Sequence, residues 1–120
     1  MAQWTKVEQE YTSTAADTME YCGVSFRVPA NEIYEFIVMD RYNAGKPNGI
    51  GVADNSTNYN SNSTVIAENM ADFSVPTAYP WARQVTGMTI PRSQDTRYYV
   101  WVKRGTASKN TVYLMYRRIL

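Results

Sequence analysis

Residues 33–42 read Ile33-Tyr34-Glu35-Phe36-Ile37-Val38-Met39-Asp40-Arg41-Tyr42, and apolar side chains recur along them with a period of two. Successive side chains of a β-strand point to opposite faces of a sheet, so even and odd positions form separate faces. Both faces are apolar here, because Phe36 and Val38 share one face while Ile37 and Met39 share the other. The pattern predicts a central strand of a sheet.

A second alternating run, residues 19–28, precedes this strand. It places Cys22, Val24 and Phe26 on one face, and it ends at the turn-forming residues Pro29-Ala30-Asn31-Glu32. Two strands joined by a short turn commonly pair with each other. The two runs therefore predict an antiparallel pair.

The C-terminal part of the chain contains two further alternating runs, residues 97–104 and 111–119. The polar residues 105–110 between them have the length and composition of a hairpin loop, so we predict a hairpin. The alternation assigns one face of this hairpin to the core, with Tyr98, Val100, Val102, Val112, Leu114 and Tyr116. The opposite face carries Tyr99, Trp101, Tyr113 and Met115.

Weaker strand patterns occur in the rest of the chain, and breakers separate them. The polar stretches 43–49 and 54–62 are predicted loops, and Pro91 opens a turn at 91–95. The predicted strands between these breakers are residues 4–14, 50–53, 64–70 and 84–90. Seven or eight short strands without a sustained helical period predict an all-β fold, an antiparallel β-sandwich or jelly roll. We expect a single domain over residues 1–120, with residues 1–14 as an N-terminal arm or edge strand.

The charges are balanced overall but divided between the two halves of the chain. The net charge of +1 is too small for nucleic-acid binding. Residues 1–60 carry about −4 and residues 61–120 about +5. Two interpretations are open: strands from opposite halves pair and offset their charges, or the protein is a polar subunit that stacks against a neighbour.

Catalytic and metal-binding patterns are sparse. The chain has no histidine, which excludes the commonest general base and transition-metal ligand. Glu35 and Asp40 fall on opposite faces of their strand, so they cannot act as a glycosidase pair. We interpret the single cysteine, Cys22, as core filling. Asp54, Asn55, Asn58 and Asn60 offer oxygen ligands without the spacing of a calcium loop, so a solvated loop is favoured and calcium binding stays open. We expect no enzymatic activity, no cofactor and no metal.

The N-terminus lacks a basic start followed by an apolar stretch, and no window of about 18 apolar residues could span a bilayer. These observations favour a soluble protein without a membrane partner, cytoplasmic as synthesised.

The aromatic residues supply the candidate binding site. Tyr79 and Trp81 with Arg83 form a segment that two prolines hold out of a regular strand, and flat rings with polar edges suit sugar or protein contact. An internal plug at an open end of the sandwich is an equally good interpretation of this segment. Asn58 and Tyr59, in the polar loop, are further candidate binding residues.

The runs 98–104 and 112–120, together with the strand and turn at 24–32 and the Asn/Ser-rich loops, resemble small jelly-roll domains of bacteriophage structural proteins. Head fibres, tail fibres and capsid decoration proteins belong to this class. The resemblance implies a virion location, a homo-oligomer with a trimer favoured, a capsid or tail protein as partner, and contact with a host-surface glycan. It identifies no functional residue.

The residue patterns and the resemblance leave two candidate functions. The first is a non-catalytic virion component that self-associates, and the alternative is a carbohydrate-binding or adhesin-like β-sandwich without a virion role. Self-association is suggested by the aromatic face, where Tyr99, Trp101 and Tyr113 would form the contact. The competing explanation is that the segment around Trp4 and Tyr11, or the Tyr79–Trp81 segment, covers that face within one chain.

Overall fold

The computed structural model describes residues 3–70 and 82–120. Their regular structure is eight β-strands. The bounds of these strands are β1 Thr5–Thr12, β2 Glu20–Val28, β3 Tyr34–Arg41, β4 Pro47–Ala53, β5 Val65–Met70, β6 Ala82–Met88, β7 Thr96–Arg104 and β8 Lys109–Arg118.

The strands form two four-stranded antiparallel sheets. Sheet 1 has the order β1-β8-β3-β6, and sheet 2 has the order β2-β7-β4-β5. Two such sheets packed face to face, with connections that cross between them, make the eight-stranded jelly roll. The predicted fold class is therefore confirmed, and β3 is the central strand that its alternation predicted, because it lies between β8 and β6.

Two strand pairings predicted from the sequence are wrong. β2 and β3 do not pair, since β2 pairs with β7 and β3 pairs with β8 and β6. Likewise, β7 and β8 do not form a hairpin, because β7 belongs to sheet 2 and β8 to sheet 1. Among the described strands, β4 and β5 are the one pair that is consecutive in sequence. The short turns at 29–33 and 105–108 carry the chain from one sheet to the other.

The core lies between the sheets and contains the side chains that the alternation assigned to it. Phe36 and Val38 of β3 and Val100 and Val102 of β7 are buried members of the same cluster, one pair from each sheet. The remaining buried members of this cluster are Cys22, Val24, Phe26, Val28, Ile50, Val52, Tyr98, Val112 and Leu114. The faces of β7 and β8 were thus predicted correctly although their pairing was not.

The division of charge between the two halves is explained by strand pairing. Every one of the six strand ladders described joins a strand from residues 1–60 to a strand from residues 61–120. The six ion pairs among the described residues follow the same rule: Arg27–Asp95, Asp54–Arg92, Asp40–Arg104, Glu10–Lys109, Glu35–Arg117 and Glu32–Arg118. Charges of opposite sign therefore meet inside one chain.

Cys22 should resist thiol reagents in the folded protein. Its side chain is 0% exposed and its Sγ lies 3.1 Å from the carbonyl oxygen of Val100, to which the thiol donates. Burial raises the pKa of the thiol to about 12, so the reactive thiolate is scarce at neutral pH. Absorbance-monitored reaction with a disulfide reagent at pH 8 should be slow for the native protein and fast in urea. Complete labelling of the native protein within the mixing time would contradict the core assignment.

Candidate functional site

The outer face of sheet 2 carries a cluster of aromatic rings. Tyr21 and Tyr99 meet edge to face with centroids 5.2 Å apart, and Trp101 lies 6.3 Å from Tyr21. Tyr21 and Tyr99 are half-buried, whereas Trp101 is 5% exposed. We call the surface formed by Tyr21 and Tyr99 the tyrosine face, because these two rings remain accessible to a partner.

An irregularity in β2 sets the position of Tyr21. Tyr21 pairs with Trp101 and Ser25 pairs with Tyr99, so β2 has two more residues than β7 across the same interval. Gly23 lies within this bulge at φ +86°, a conformation that residues with a Cβ rarely adopt. The bulge leaves Cys22 and Val24 facing the core while Tyr21 and Ser25 both face outward beside Tyr99.

Hydrogen-bonding groups surround the tyrosine face. Arg97 Nη1 donates to Ser25 Oγ at 3.0 Å, and Ser25 is the direct neighbour of Tyr99 across the ladder. Two residues beyond Ser25 on β2, Arg27 forms an ion pair with Asp95. The Asp95 carboxylate also accepts a hydrogen bond from the backbone N–H of Ala30. These groups hold the pKa of Asp95 below its usual value, first through the Arg27 hydrogen bond. The face therefore combines ring surfaces with fixed donors.

The loop at 54–64 covers Trp101. Tyr59 of this loop is 7% exposed, lies with its ring centroid 5.6 Å from that of Trp101, and donates a hydrogen bond to Glu68 at 2.7 Å. Gly51 makes room for the ring, because a Cβ there would come within 2.0 Å of the Tyr59 hydroxyl oxygen. Burial, and then the hydrogen bond to Glu68, raise the pKa of Tyr59.

Hydrogen bonds within the loop keep it folded over the sheet. Asn55 accepts at Oδ1 from the backbone of Thr57 and of Asn58, and its carbonyl oxygen accepts from Trp101 Nε1 at 3.0 Å. Asp54 closes the loop by accepting from the backbone of Thr64 and pairing with Arg92. Burial opposes ionisation of Asp54, but these bonds outweigh it and lower its pKa. These bonds hold the loop in place on the outer surface of sheet 2.

A cavity of about 440 Å³ opens where the ends of β1, β2 and β8 meet, and we call it the end cavity. Aromatic and arginine side chains dominate its lining, which is formed by Gln3, Thr5, Ser25, Phe26, Arg27, Tyr34, Arg97, Tyr116, Arg117 and Arg118. The rings of Phe26 and Tyr116 are stacked at 5.2 Å, and Tyr34 lies 6.1 Å from Tyr116. Ser25 and Arg97 belong to this lining and also adjoin Tyr99, so the end cavity and the tyrosine face are continuous.

The outer face of sheet 1 has a different character. A groove of about 410 Å³ runs over it, with Ile37, Met39 and Met115 among its lining residues and with Lys6, Glu8, Gln84 and Tyr113 around them. Among the described residues of its lining, Tyr113 is the single aromatic one. Apolar aliphatic side chains suit protein contact more than sugar stacking.

At the end of the sandwich opposite the end cavity, a buried polar network replaces apolar packing. Arg104 and Asp40 are both 0% exposed and form a two-pronged ion pair, with Nε–Oδ2 at 3.0 Å and Nη2–Oδ1 at 2.9 Å. Arg104 also donates to the carbonyl oxygens of Tyr11 and Ser108. Asn110 connects this pair to the loop at 43–45 through its amide group. A network closed to solvent in this way is structural.

The residues predicted as a binding segment are only partly placed. Tyr79 and Trp81 lie outside the described residues. Arg83 lies on β6 and donates to the Pro47 carbonyl oxygen at 2.9 Å and to Asn69 Oδ1 at 3.0 Å, so it ties the edges of the two sheets together. Asn58 is exposed on the loop, whereas Tyr59 is buried and serves as the loop's anchor.

The three residues predicted as an oligomer contact do not share one surface. Tyr99 and Trp101 lie on the outer face of sheet 2 and Tyr113 on the outer face of sheet 1, because β7 and β8 belong to different sheets. Among the described residues, the loop at 54–64 covers Trp101. The segment around Trp4 and Tyr11 leads into and forms β1 of sheet 1, and the Tyr79–Trp81 segment lies outside the described residues. Self-association, including the favoured trimer, stays a prediction.

Sequence reasoning missed Tyr21, Ser25, Arg27 and Arg97 as members of the site. Their pattern was available, since arginines and a serine alternate with core residues at the ends of β2 and β7. What the pattern lacked was the pairing of β2 with β7, which brings these residues together.

In the parts of the chain at 3–70 and 82–120, no helix has the length and apolar character needed to cross a membrane. Across the same residues, no group of three or more Cys, Asp or Glu side chains is arranged to hold a metal ion.

No protein-family model matches the chain, and no curated protein matches it. Among solved structures it is similar to a Clostridium thermocellum endo-1,4-beta-D-xylanase 10B, a structure of the CBM22-1 and GH10 modules complexed with xylohexaose. The TM-score is 0.51 at 9% identity, over 98% of this chain and 26% of the xylanase chain. The likeness shows an all-β sandwich. It confirms the fold that the resemblance to phage proteins implied, and it gives no support to a phage origin.

Proposed function

We propose that this protein is a non-catalytic carbohydrate-binding β-sandwich, and that saccharides bind at the tyrosine face and the adjoining end cavity. The observation that carries the proposal is the accessible ring pair Tyr21 and Tyr99, set beside the hydrogen-bonded Ser25 and Arg97. Sugar rings present apolar C–H faces that stack on aromatic rings, and their hydroxyl groups accept and donate hydrogen bonds at the edges. The tyrosine face offers both kinds of contact.

The fold likeness supports this function better than a virion role. The similar structure contains a carbohydrate-binding module and a bound xylo-oligosaccharide, although fold alone is a weak indicator of function. The absence of histidine supports the non-catalytic part of the proposal. Oligosaccharides of β-1,4-linked sugars, beginning with xylohexaose, are therefore the first ligands to test.

Replacing Tyr99 with alanine should weaken binding of the recognised oligosaccharide by about tenfold or more, as truncation of a central aromatic contact does. Tyr99→Phe keeps the stacking surface and should bind within about threefold of the unchanged protein, since the loss of one hydroxyl hydrogen bond costs about 0.5 kcal/mol. Isothermal titration calorimetry against a panel of neutral and acidic oligosaccharides measures both.

Tyr113→Ala is the matched control, because it removes the same ring from the opposite face of the sandwich. It should leave saccharide affinity unchanged. Equal affinity of Tyr99→Ala and the unchanged protein, with a loss in Tyr113→Ala, would move the site to sheet 1. Failure of every saccharide in the panel to bind would reject the proposed function.

A further inference from the structure

The end cavity has an unusual concentration of guanidinium groups. Four of its lining residues are arginines, namely Arg27, Arg97, Arg117 and Arg118, and they come from three different strands. A cavity of about 440 Å³ lies within the range of small-molecule sites. Arginine presents planar N–H donors that match the two oxygens of a carboxylate, so the lining favours an anionic group.

The number of arginines without a carboxylate partner limits the negative charge that a ligand of the end cavity can carry. Arg27, Arg117 and Arg118 are each paired with a carboxylate, from Asp95, Glu35 and Glu32 respectively. Arg97 forms no ion pair within residues 3–70 and 82–120, and its described partner is the neutral hydroxyl of Ser25. The four arginines and three carboxylates leave one positive charge. This balance suits a group with a single negative charge and is too small for a polyanion such as nucleic acid.

The aromatic part of the lining indicates what carries that charge. Tyr34 and Tyr116 are half-buried, with ring centroids 6.1 Å apart, and both line the cavity. The guanidinium carbon of Arg117 lies 4.3 Å from the ring centroid of Trp4, and this contact holds Arg117 at the rim of the end cavity. Rings of this kind can stack on a pyranose while an arginine contacts its carboxylate.

We propose that the end cavity binds the uronic acid unit of an acidic saccharide, with Arg97 contacting its carboxylate. This proposal rests on the proposed carbohydrate-binding function and names the ligand class. When the carboxylate contacts Arg97, the neutral part of the oligosaccharide extends past Ser25 to Tyr99. Ser25 and Arg97 connect the end cavity to the tyrosine face.

The test compares two ligands that differ only in charge: a xylo-oligosaccharide carrying one glucuronic acid branch, and the same compound after methyl esterification of its carboxylate. Calorimetry should show the acid binding about tenfold or more tightly than the ester, as expected for hydrogen bonds to a charged group. Arg97→Gln should remove this preference, because it should lower affinity for the acid by more than it lowers affinity for the ester. Arg97→Lys should retain part of it, because lysine keeps the charge and loses the two-pronged geometry.

Arg41→Gln is the matched control, since Arg41 is an exposed arginine at the opposite end of β3 from Tyr34. It should leave the preference for the acid intact. Equal binding of acid and ester would overturn the inference and leave the proposed function standing, whereas failure of both ligands and of xylohexaose would reject both. Displacement of the acid by equimolar sodium acetate or sulfate would also overturn it, because the cavity would then recognise a free anion without the sugar.

Discussion

Replacing Asp40 with alanine should lower the free energy of unfolding by about 3–5 kcal/mol, the usual cost of leaving one partner of a buried ion pair without the other. Arg104 would stay fully buried, with two of its guanidinium nitrogens deprived of carboxylate oxygens at 3.0 and 2.9 Å. Its remaining bonds, to the carbonyl oxygens of Tyr11 and Ser108, cannot neutralise the charge. Urea denaturation followed by tryptophan fluorescence measures the loss.

Two comparisons separate the effect of charge from the effect of lost packing. Glu32→Gln breaks an ion pair in which Arg118 is 59% exposed, and should cost no more than about 1 kcal/mol. The double variant Asp40→Leu with Arg104→Met removes both charges and should be more stable than Asp40→Ala. If Asp40→Ala cost no more than Glu32→Gln, the buried pair would have no special role in stability.

Replacing Trp101 with alanine should lower the free energy of unfolding by about 3–5 kcal/mol, as large-to-small substitutions of buried aromatic residues do. Trp101 supports the loop at 54–64 in two ways: its ring packs on Tyr59, and its Nε1 donates to the Asn55 carbonyl oxygen at 3.0 Å. Loss of the indole should therefore also release the loop. Limited proteolysis, cutting within 54–64 in the variant and not in the unchanged protein, reports that release.

The control for Trp101 is Tyr113→Ala, which truncates a half-buried ring on the other sheet and should cost about 1 kcal/mol, the average for point substitutions. The two roles considered for Trp101 give different results. If it belonged to a contact between copies, its replacement would change the mass measured by light scattering and leave unfolding of the separated chain unaffected. An unchanged mass with a large loss of stability is the result expected from its burial under Tyr59.

The sequence alone predicted the strands and their faces but not their partners. Alternation is a local property, so it identifies which side of β7 and β8 meets the core. It cannot say which sheet receives each strand, because a polar connection of about six residues can either reverse within a sheet or cross the roughly 10 Å to the facing one. The wrong hairpins at 29–32 and 105–110 both come from this ambiguity.

The composition of the loop at 54–64 did not indicate that the loop packs on sheet 2. Ten of its residues are polar or small, which indicates a solvated loop, and the eleventh, Tyr59, is its anchor. A signal was present in the neighbouring strand, where Gly49 and Gly51 leave two alternate positions of β4 without side chains. Glycine at alternate positions of a strand often marks close approach by another group, here Met70 and Tyr59.

The end cavity depends on tertiary structure more than any other part of the site. Its lining comes from residues near 3–5, 25–27, 34, 97 and 116–118, which no local pattern connects. The sequence could show an excess of arginine in the second half of the chain. The sequence could not show that three carboxylates from other parts of the chain pair with three of the four arginines that line this cavity.

The strand order also determines how the protein can fold. Every ladder except β4–β5 joins segments distant in the chain, and β8 supplies a neighbour for both β1 and β3. A nascent chain that lacks residues 109–118 therefore leaves β1 and β3 without their shared partner, so sheet 1 cannot close until synthesis has passed that point. High contact order of this kind slows folding, because long loops must close before the contacts they allow can form. The interval before closure, with Phe36 and Val38 still unprotected, is when the chain is most exposed to aggregation.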